Sequence, residues 1–123
     1  MVRVLFDTNI LIDSLNGYSQ AREVIKKYPD RAVSVITQIE LLAGGKPVHE
    51  VQVRTLLSGF KILQTEPAIA EYAATIRREQ KLKTPDAIIL ATAQSTKRTL
   101  VTRDVRIVNG EHSVACICPY VLQ

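Results

Sequence analysis

The sequence predicts an α/β sandwich, in which helices cover both faces of a five-stranded, mainly parallel sheet. Short β-rich runs alternate along the chain with segments whose apolar residues recur at helical spacing. Right-handed crossovers between parallel strands would place those helices on both faces of the sheet. The 123 residues, 46% of them hydrophobic, suffice for one globular domain with a continuous core. We therefore expect residues 1–123 to form a single domain.

The first strand is predicted at Val2–Phe6, a short β-rich run. The polar residues 7–9 break this run before a helical segment starts. A second helix is expected to begin at Ser19, which acts as its cap, and to continue to about Tyr28. Pro29 then ends that helix, because proline cannot continue the hydrogen-bonding pattern.

The second strand is predicted at Ala32–Ile36, which is rich in β-branched residues. Thr37 and Glu40 have the spacing of a capping box, so a helix is expected to start there and to end at Gly44-Gly45. Residues 47–57 mix apolar and polar side chains at helical spacing, which predicts a short amphipathic helix.

The second half of the chain repeats the alternation of strand and helix. A third strand at Phe60–Leu63 precedes a helix that has Pro67 at its favoured first position. The next helix, with Thr84 as its cap, continues into a uniformly apolar run that predicts burial. Two further strands are expected at Leu100–Thr102 and Val114–Ile117.

Four acidic residues, Asp7, Glu40, Asp86 and Asp104, each lie where a predicted strand ends or a predicted helix begins. In a parallel sheet these positions converge at one edge, where open α/β sheets bind their ligands. Each acid alone has a structural explanation as a helix cap, a first-turn acid or a turn residue. Together, however, unneutralised carboxylates would repel one another, and a cation relieves that repulsion. Oxygen ligands favour Mg²⁺ or Mn²⁺ over zinc, so the pattern predicts a metal-dependent enzyme.

The remaining acids do not share this placement and are expected on solvated helix faces. They are Asp13, Glu23, Glu50, Glu71 and Glu79.

Four segments resemble those of the PIN-domain ribonucleases, and more narrowly those of the VapC-type toxins of bacterial and archaeal toxin-antitoxin pairs. The segments are 5–12, 39–42, 84–93 and 100–104, which read LFDTNILI, IELL, TPDAIILATA and LVTRD. They occur in the family's order, and the similarity covers almost the whole chain. One departure is that Ile107 and Val108 stand where family members often carry an aromatic residue.

The resemblance implies endoribonucleolytic hydrolysis of RNA with Mg²⁺ or Mn²⁺ as cofactor. It carries the family's metal-binding and catalytic roles over to the four acids at the sheet edge, and a supporting role to Thr102. Asn9 either bonds a ligand carboxylate or satisfies the turn. The resemblance also implies a small cognate antitoxin and a homodimer as protein partners. The apolar residues of Leu41–Leu57 are a candidate antitoxin-binding surface, with core packing as the alternative.

The net charge of +4 and the sequence pI of about 9.3 suit a polyanionic partner such as RNA. The basic side chains nearest the predicted site are expected to position the RNA through its phosphates. These candidates are Arg77, Arg78, Lys81, Lys83 and Arg103. For the first four, a solvated helix end is the alternative interpretation.

Several function classes are disfavoured by the sequence. No apolar stretch approaches the roughly 20 residues that span a bilayer, and the opening run is too short for a signal peptide, so we expect a soluble cytoplasmic protein without a membrane partner. Cys116 and Cys118 stand two apart, a spacing that in a strand puts both side chains on one face, poorly placed to bond each other, and they are expected to be core thiols. With only His49 and His112, both expected in exposed loops, they do not match structural zinc spacing.

Two other functions compete with the ribonuclease. One is a catalytically inactive PIN-fold module that binds RNA or serves in assembly. The other is an α/β phosphohydrolase acting on a small phosphorylated substrate, although Gly45-Lys46-Pro47 is no phosphate loop. Metal binding distinguishes the first of these from the enzyme, and activity on small phosphoesters but not on RNA would favour the second.

Overall fold

A computed structural model describes residues 1–122 and contains a five-stranded sheet in which every strand pairing is parallel. The strand order is β3-β2-β1-β4-β5, so the first strand lies at the centre of the sheet. The strands are β1 Arg3–Phe6, β2 Asp30–Ser34, β3 Lys61–Leu63, β4 Thr99–Val101 and β5 Cys116–Ile117. The predicted fold class is confirmed.

Helices connect the strands and cover both faces of the sheet. They are α1 Thr8–Leu15, α2 Ser19–Lys27, α3 Val35–Gly44, α4 Glu50–Leu57, α5 Pro67–Gln80, α6 Thr84–Thr96 and α7 Val105–Val108, with a 3₁₀ turn at Pro47–His49 before α4. Within residues 1–122, none of these helices has the length and apolarity needed to cross a membrane.

The alternation of side chains along each strand divides the core into two halves. Leu5, Ala32 and Leu100 pack with α5 and α6 on one face, whereas the neighbouring strand residues pack with α1, α2 and α4 on the other. Successive residues of a strand point to opposite faces, so both faces must be apolar in a sheet covered on both sides. This explains why β1 reads as a continuous hydrophobic run.

The start of α3 differs from the sequence expectation. Ser34 is the N-cap, and its hydroxyl oxygen accepts a hydrogen bond from the backbone N–H of Ile36 at 3.1 Å. The second strand therefore ends two residues before Ile36, and the predicted capping box of Thr37 and Glu40 is wrong. Because α3 begins earlier, both of those side chains lie inside the helix rather than at its end.

Other helix starts also shift by one residue. Ser19 and Thr84 are the first helical residues of α2 and α6 and not their caps, which are Tyr18 and Lys83, neither of which makes a side-chain capping bond. Pro67 opens α5 as predicted. The short helix α7 was not predicted, because a four-residue helix contains too little periodicity to recognise.

The cysteine and histidine predictions have mixed outcomes. Cys116 and Cys118 are free, half-buried thiols, in agreement with the expectation that they form no disulfide. His49 is exposed as expected, but it lies in the 3₁₀ turn and not in a loop. His112 is half-buried, with its Nε2 atom 2.6 Å from the carbonyl oxygen of Ile107, so its predicted exposure is wrong.

At the edge where the strands begin, a buried arginine connects three strands. The Arg98 side chain is 2% exposed, and its Nη1 donates to the Val4 carbonyl at 3.1 Å and to the Asp30 carboxylate at 2.9 Å. Lys61 donates to the same carboxylate oxygen at 3.1 Å. These two partners, Lys61 first, hold the pKa of Asp30 below its usual value. The predicted site lies at the opposite edge, where the strands end.

Candidate active site

Asp7 follows β1 directly and is held by both central strands. Its backbone N–H donates to the carbonyl oxygen of Val101 at 2.9 Å, which continues the pairing with β4. Its carboxylate caps α1, since Oδ1 accepts from the Thr8 N–H at 2.8 Å. The other oxygen accepts from the Thr102 hydroxyl at 2.6 Å. Asp7 is thus a fixed carboxylate and only 5% exposed.

Glu40 is exposed on α3 and is linked to Asp7 through Thr8, whose hydroxyl bonds Glu40 and whose backbone N–H bonds Asp7. Thr8 Oγ1 donates to Glu40 Oε1 at 2.9 Å and lies 2.8 Å from Thr37 Oγ1. A hydroxyl has one hydrogen to donate, so the hydroxyl of Thr37 donates to that of Thr8. Thr37, which sequence analysis assigned to a helix cap, instead helps to orient Glu40.

Thr102 and Asn9 form the support on the other side of Asp7. Thr102 Oγ1 accepts from the Asp104 N–H at 3.0 Å and from Asn9 Nδ2 at 3.3 Å. The Asn9 side-chain oxygen accepts from the Arg103 N–H at 3.3 Å. The turn after β4 is therefore fixed to the start of α1. Asn9 satisfies the turn and also lies 3.4 Å from the Asp7 carboxylate, so both interpretations of its role have a structural basis.

Asp86 lies in the first turn of α6, and its charge raises the pKa of Asp7. Burial raises the pKa of Asp7 to about 6, and the charges of Asp86 and Asp104 add to that rise against the hydrogen bonds that lower it. The pKa of Asp86 is raised by burial first, then by Asp104 and Glu40. All four acids thus lie within electrostatic reach at the carboxyl edge of the sheet.

Asp104 is already neutralised by an arginine that sequence analysis did not select. Its Oδ1 accepts from Arg106 Nε at 3.1 Å and its Oδ2 from Nη2 at 2.9 Å. Its Oδ1 also accepts the Arg106 N–H at 3.0 Å, which caps α7. The Arg106 guanidinium is the main cause that holds the pKa of Asp104 below its usual value. The sequence does contain an indication of this pair, since Arg106 follows the predicted metal ligand Asp104 by two positions.

Arg103 lies beside the site, but its guanidinium points to a buried acid. It donates from Nη2 to Asp13 Oδ1 at 3.0 Å and from Nε to Asp13 Oδ2. Tyr120 donates its hydroxyl to the same Oδ2 at 2.7 Å. The Asp13 side chain is 4% exposed, so its expected place on a solvated face is wrong. In this conformation the guanidinium of Arg103 is neutralised by its salt bridge with Asp13.

The other basic candidates are exposed at the junction of α5 and α6. Arg77 and Arg78 lie in the last turn of α5, Lys81 ends that helix in the left-handed conformation, and Lys83 caps α6. Arg77 Nε donates to Thr84 Oγ1 at 2.9 Å. Lys83 lowers the pKa of Asp86 and so faces the acidic cluster.

A groove of about 600 Å³ runs from Glu40 between α1, α3 and the residues that lead into α4. Its wall includes Ile12, Leu41 and Val53. Beside it, Val48 is 72% exposed and Val51 is 74% exposed, whereas Val53 and Leu57 are buried. The segment 41–57 therefore packs one face in the core and presents apolar side chains on the other.

The four acids offer a donor set suited to a hard divalent cation. No three Asp, Glu, His or Cys side chains within residues 1–122 are grouped closely enough to hold a metal ion as they stand. Mg²⁺, however, keeps several waters and uses only one or two carboxylates directly. Asp7 is a fixed, buried carboxylate with acidic neighbours, and it has no salt bridge in the described part of the chain. The oxygen-only chemistry of the set therefore fits Mg²⁺ or Mn²⁺.

Comparison with known proteins identifies the fold family. The sequence profile of the PIN domain matches residues 4–111. A toxin-antitoxin complex from Klebsiella pneumoniae contains a chain 41% identical to this one, with a TM-score of 0.87 and coverage of 97% of this chain and 99% of that chain. FitAcB from Neisseria gonorrhoeae is 25% identical, with a TM-score of 0.78 and coverage of 97% and 99%. Ribonuclease VapC10 of Mycobacterium tuberculosis is 28% identical over 110 residues, 83% of each chain. The chain belongs to the PIN domain family, as its four sequence segments indicated.

Proposed function

We propose that this protein is a metal-dependent endoribonuclease that hydrolyses RNA phosphodiester bonds, as the toxin of a toxin-antitoxin pair. The observation that carries the proposal is the buried carboxylate of Asp7, on which the charges of Asp86 and Asp104 act, with Glu40 linked to it through Thr8. Two of the relatives described above support this proposal, because their names specify a ribonuclease and a toxin-antitoxin complex. An RNA substrate agrees with the net charge of +4 and with a cytoplasmic location.

In the proposed mechanism, Asp7 and Asp86 would hold Mg²⁺ or Mn²⁺ with help from Glu40 and Asp104. Such a cation supplies a bound water of lowered pKa and stabilises the charge that develops on the phosphate. Thr102 keeps one oxygen of Asp7 fixed by donating to it, while Thr8 fixes Glu40. Glu40 is exposed and Asp104 lies at the rim, so either carboxylate can orient the attacking water.

The RNA backbone is proposed to approach across the junction of α5 and α6. Lys83 is the basic candidate whose charge acts on Asp86, so it lies where a phosphate next to the scissile group would pass. Arg77, Arg78 and Lys81 are exposed on the same junction and extend this basic surface. Arg103 is the weakest of these candidates, because contact with RNA would require it to leave Asp13.

The groove beside Glu40 is the proposed site of a small antitoxin. Its apolar wall and the exposed Val48 and Val51 offer hydrophobic contact outside the core. Replacing either valine by Asp should weaken antitoxin binding in a pull-down with the co-expressed partner while leaving the thermal midpoint unchanged. Unchanged binding by both variants would rule out this surface.

The proposed activity is tested on a gel of total cellular RNA incubated with purified, antitoxin-free protein in Mg²⁺ or Mn²⁺. Discrete fragments should appear, and they should vanish with EDTA and with Asp7→Asn. Glu40→Gln should also lose activity, whereas the same substitution at exposed Glu71 on α5 should keep it. Intact RNA, together with Mn²⁺ binding no tighter than that of Asp7→Asn, would instead favour an inactive RNA-binding module.

A further inference from the structure

Arg106 lies at the rim of the acidic cluster and forms a salt bridge with one of its members, Asp104. Its side chain is 79% exposed, and its guanidinium grips both oxygens of Asp104. The same charge lowers the pKa of Asp86 more strongly than Lys83 does. The guanidinium therefore contacts one proposed metal ligand, Asp104, and its charge acts on a second, Asp86.

We propose that Arg106 is a substrate-binding residue that exchanges places with the metal: it neutralises Asp104 in the metal-free site, and binds an RNA phosphate once a divalent cation takes Asp104. The inference rests on the proposed function, because it assigns a role in the same site. It adds a phosphate contact that the basic residues at the α5–α6 junction do not provide.

This exchange is possible because the salt bridge between Arg106 and Asp104 is weak. Ion pairs at solvent-exposed positions contribute little to stability, because water screens them and holding two long side chains costs entropy. A divalent cation on carboxylate oxygens competes well against such a pair. The buried pair of Arg103 with Asp13 is different, since loss of one partner would leave a charge uncompensated in the interior.

The local backbone lets the guanidinium leave without unfolding the loop. The N–H of Arg106 and the Thr102 hydroxyl hold Asp104 independently of the Arg106 side chain. Once released, an exposed guanidinium can form two parallel hydrogen bonds to a phosphate, a geometry that lysine cannot match. The freed group stays next to the acids because α7 anchors its backbone.

The first test measures Mn²⁺ affinity without RNA, from the electron paramagnetic resonance signal of free Mn²⁺. Removal of the competing charge in Arg106→Ala should tighten binding roughly two- to fivefold, the range set by an exposed ion pair. Arg54→Ala is the matched control, since Arg54 grips Glu50 on α4 with two nitrogens at 2.8 and 3.1 Å and is 61% exposed. That variant should bind Mn²⁺ as the wild type does.

The second test measures how RNA binding depends on salt, using fluorescence anisotropy of a labelled, mixed-sequence single-stranded RNA of 20 nucleotides. With Ca²⁺ present and the RNA checked as intact on a gel, Arg106→Ala should lower the slope of log K against log salt by about 0.7, the value for one phosphate contact. In EDTA the slope should not change, because Asp104 already neutralises Arg106.

The outcomes separate the inference from the proposed function. Equal Mn²⁺ affinity in Arg106→Ala and Arg54→Ala, with clear binding by the wild type, overturns the exchange and leaves the metal site intact. An equal loss of slope with Ca²⁺ and in EDTA also overturns it, since the guanidinium would then contact RNA without any exchange. Wild-type protein that binds Mn²⁺ no better than Asp7→Asn removes the proposed function, and the inference with it.

Discussion

At the scale of single residues, Asp7 is a carboxylate whose charge the metal-free fold disfavours. Three influences act in the same direction on its pKa, which are its burial and the negative charges of Asp86 and Asp104. The hydrogen bonds from Thr102 and Thr8 oppose them only in part. A carboxylate kept in such a position weakens the fold, which is the pattern expected of a site selected for binding rather than for stability.

The substitution Asp7→Asn should therefore stabilise the metal-free protein. The pKa of Asp7 is about 6 in the folded chain against 3.8 in the unfolded chain, so the folded state holds the proton more tightly. The wild type loses stability as the pH rises through this interval, by up to about 3 kcal/mol. Thermal unfolding in EDTA should show a higher midpoint for the variant at pH 7.5 and a much smaller difference at pH 4.

This result would contrast with the activity of the same variant, which the proposed function expects to be lost. A variant less stable than the wild type at pH 7.5 in EDTA would show that the hydrogen bonds of Asp7 outweigh its desolvation. Asn can still accept the Thr8 N–H through its side-chain oxygen, so helix capping is retained.

Tyr120 offers a second test at this scale, because its hydroxyl bonds the buried Asp13 at 2.7 Å. Tyr120→Phe removes one hydrogen bond to a charged group and should cost about 1.5 to 3 kcal/mol in the free energy of unfolding. Urea denaturation measures this cost. Tyr72→Phe, at an exposed position on α5, is the control and should change little. Equal stability of both variants would mean that water replaces the Tyr120 hydroxyl.

The sequence predicted the four acids at the sheet edge but not the side chains that hold them. Asp7, Asp86 and Asp104 were found because strand ends and helix starts can be read from apolar patterns. The contacts of Asp13 with Arg103 and Tyr120 join residues 90 and 107 positions apart, and no local pattern encodes such a pairing. Arg106 was overlooked because the basic residues preceding Asp86 offered a more visible charge run.

At the scale of elements, α3 sets the position of Glu40, and its start depends on one serine. The sequence favoured a longer strand because Val35 and Ile36 are β-branched. The Ser34 hydroxyl instead caps the helix, so local hydrogen bonding outweighs strand propensity at this point. Apart from α7, the other strand and helix positions were predictable to within a few residues, because their apolar periodicity is strong.

Ser34→Ala should destabilise the protein by about 1 kcal/mol, the usual cost of losing a helix N-cap. Chemical denaturation of the variant measures the loss. Ser19→Ala is the matched control, because Ser19 is exposed and follows an N-cap that makes no side-chain bond. Its stability should stay within about 0.5 kcal/mol of the wild type. A larger loss at Ser19 than at Ser34 would contradict the capping assignment.

At the scale of the whole molecule, the two edges of the sheet differ in how their acidic side chains are neutralised. At the edge where strands begin, the Asp30 carboxylate is paired with Arg98 and Lys61. At the edge where strands end, acids face one another and Arg106 supplies the paired charge. Acids that raise one another's pKa are typical of a functional site, and a bound cation relieves their repulsion. The homodimer stays a prediction, which sedimentation of the purified chain can measure.

The parallel sheet also determines when the acidic cluster can exist. Asp7 is bonded to Thr102, which lies 95 positions further along the chain, and β1 cannot pair with β4 until both have been made. Pairings between such distant segments form slowly, because loop closure must precede the contacts that stabilise it. During translation, a growing polypeptide would carry Asp7 and Glu40 well before it carries Asp104. An unfinished chain on the ribosome therefore lacks the complete acidic cluster, and the proposed ribonuclease is assembled only with its last strands.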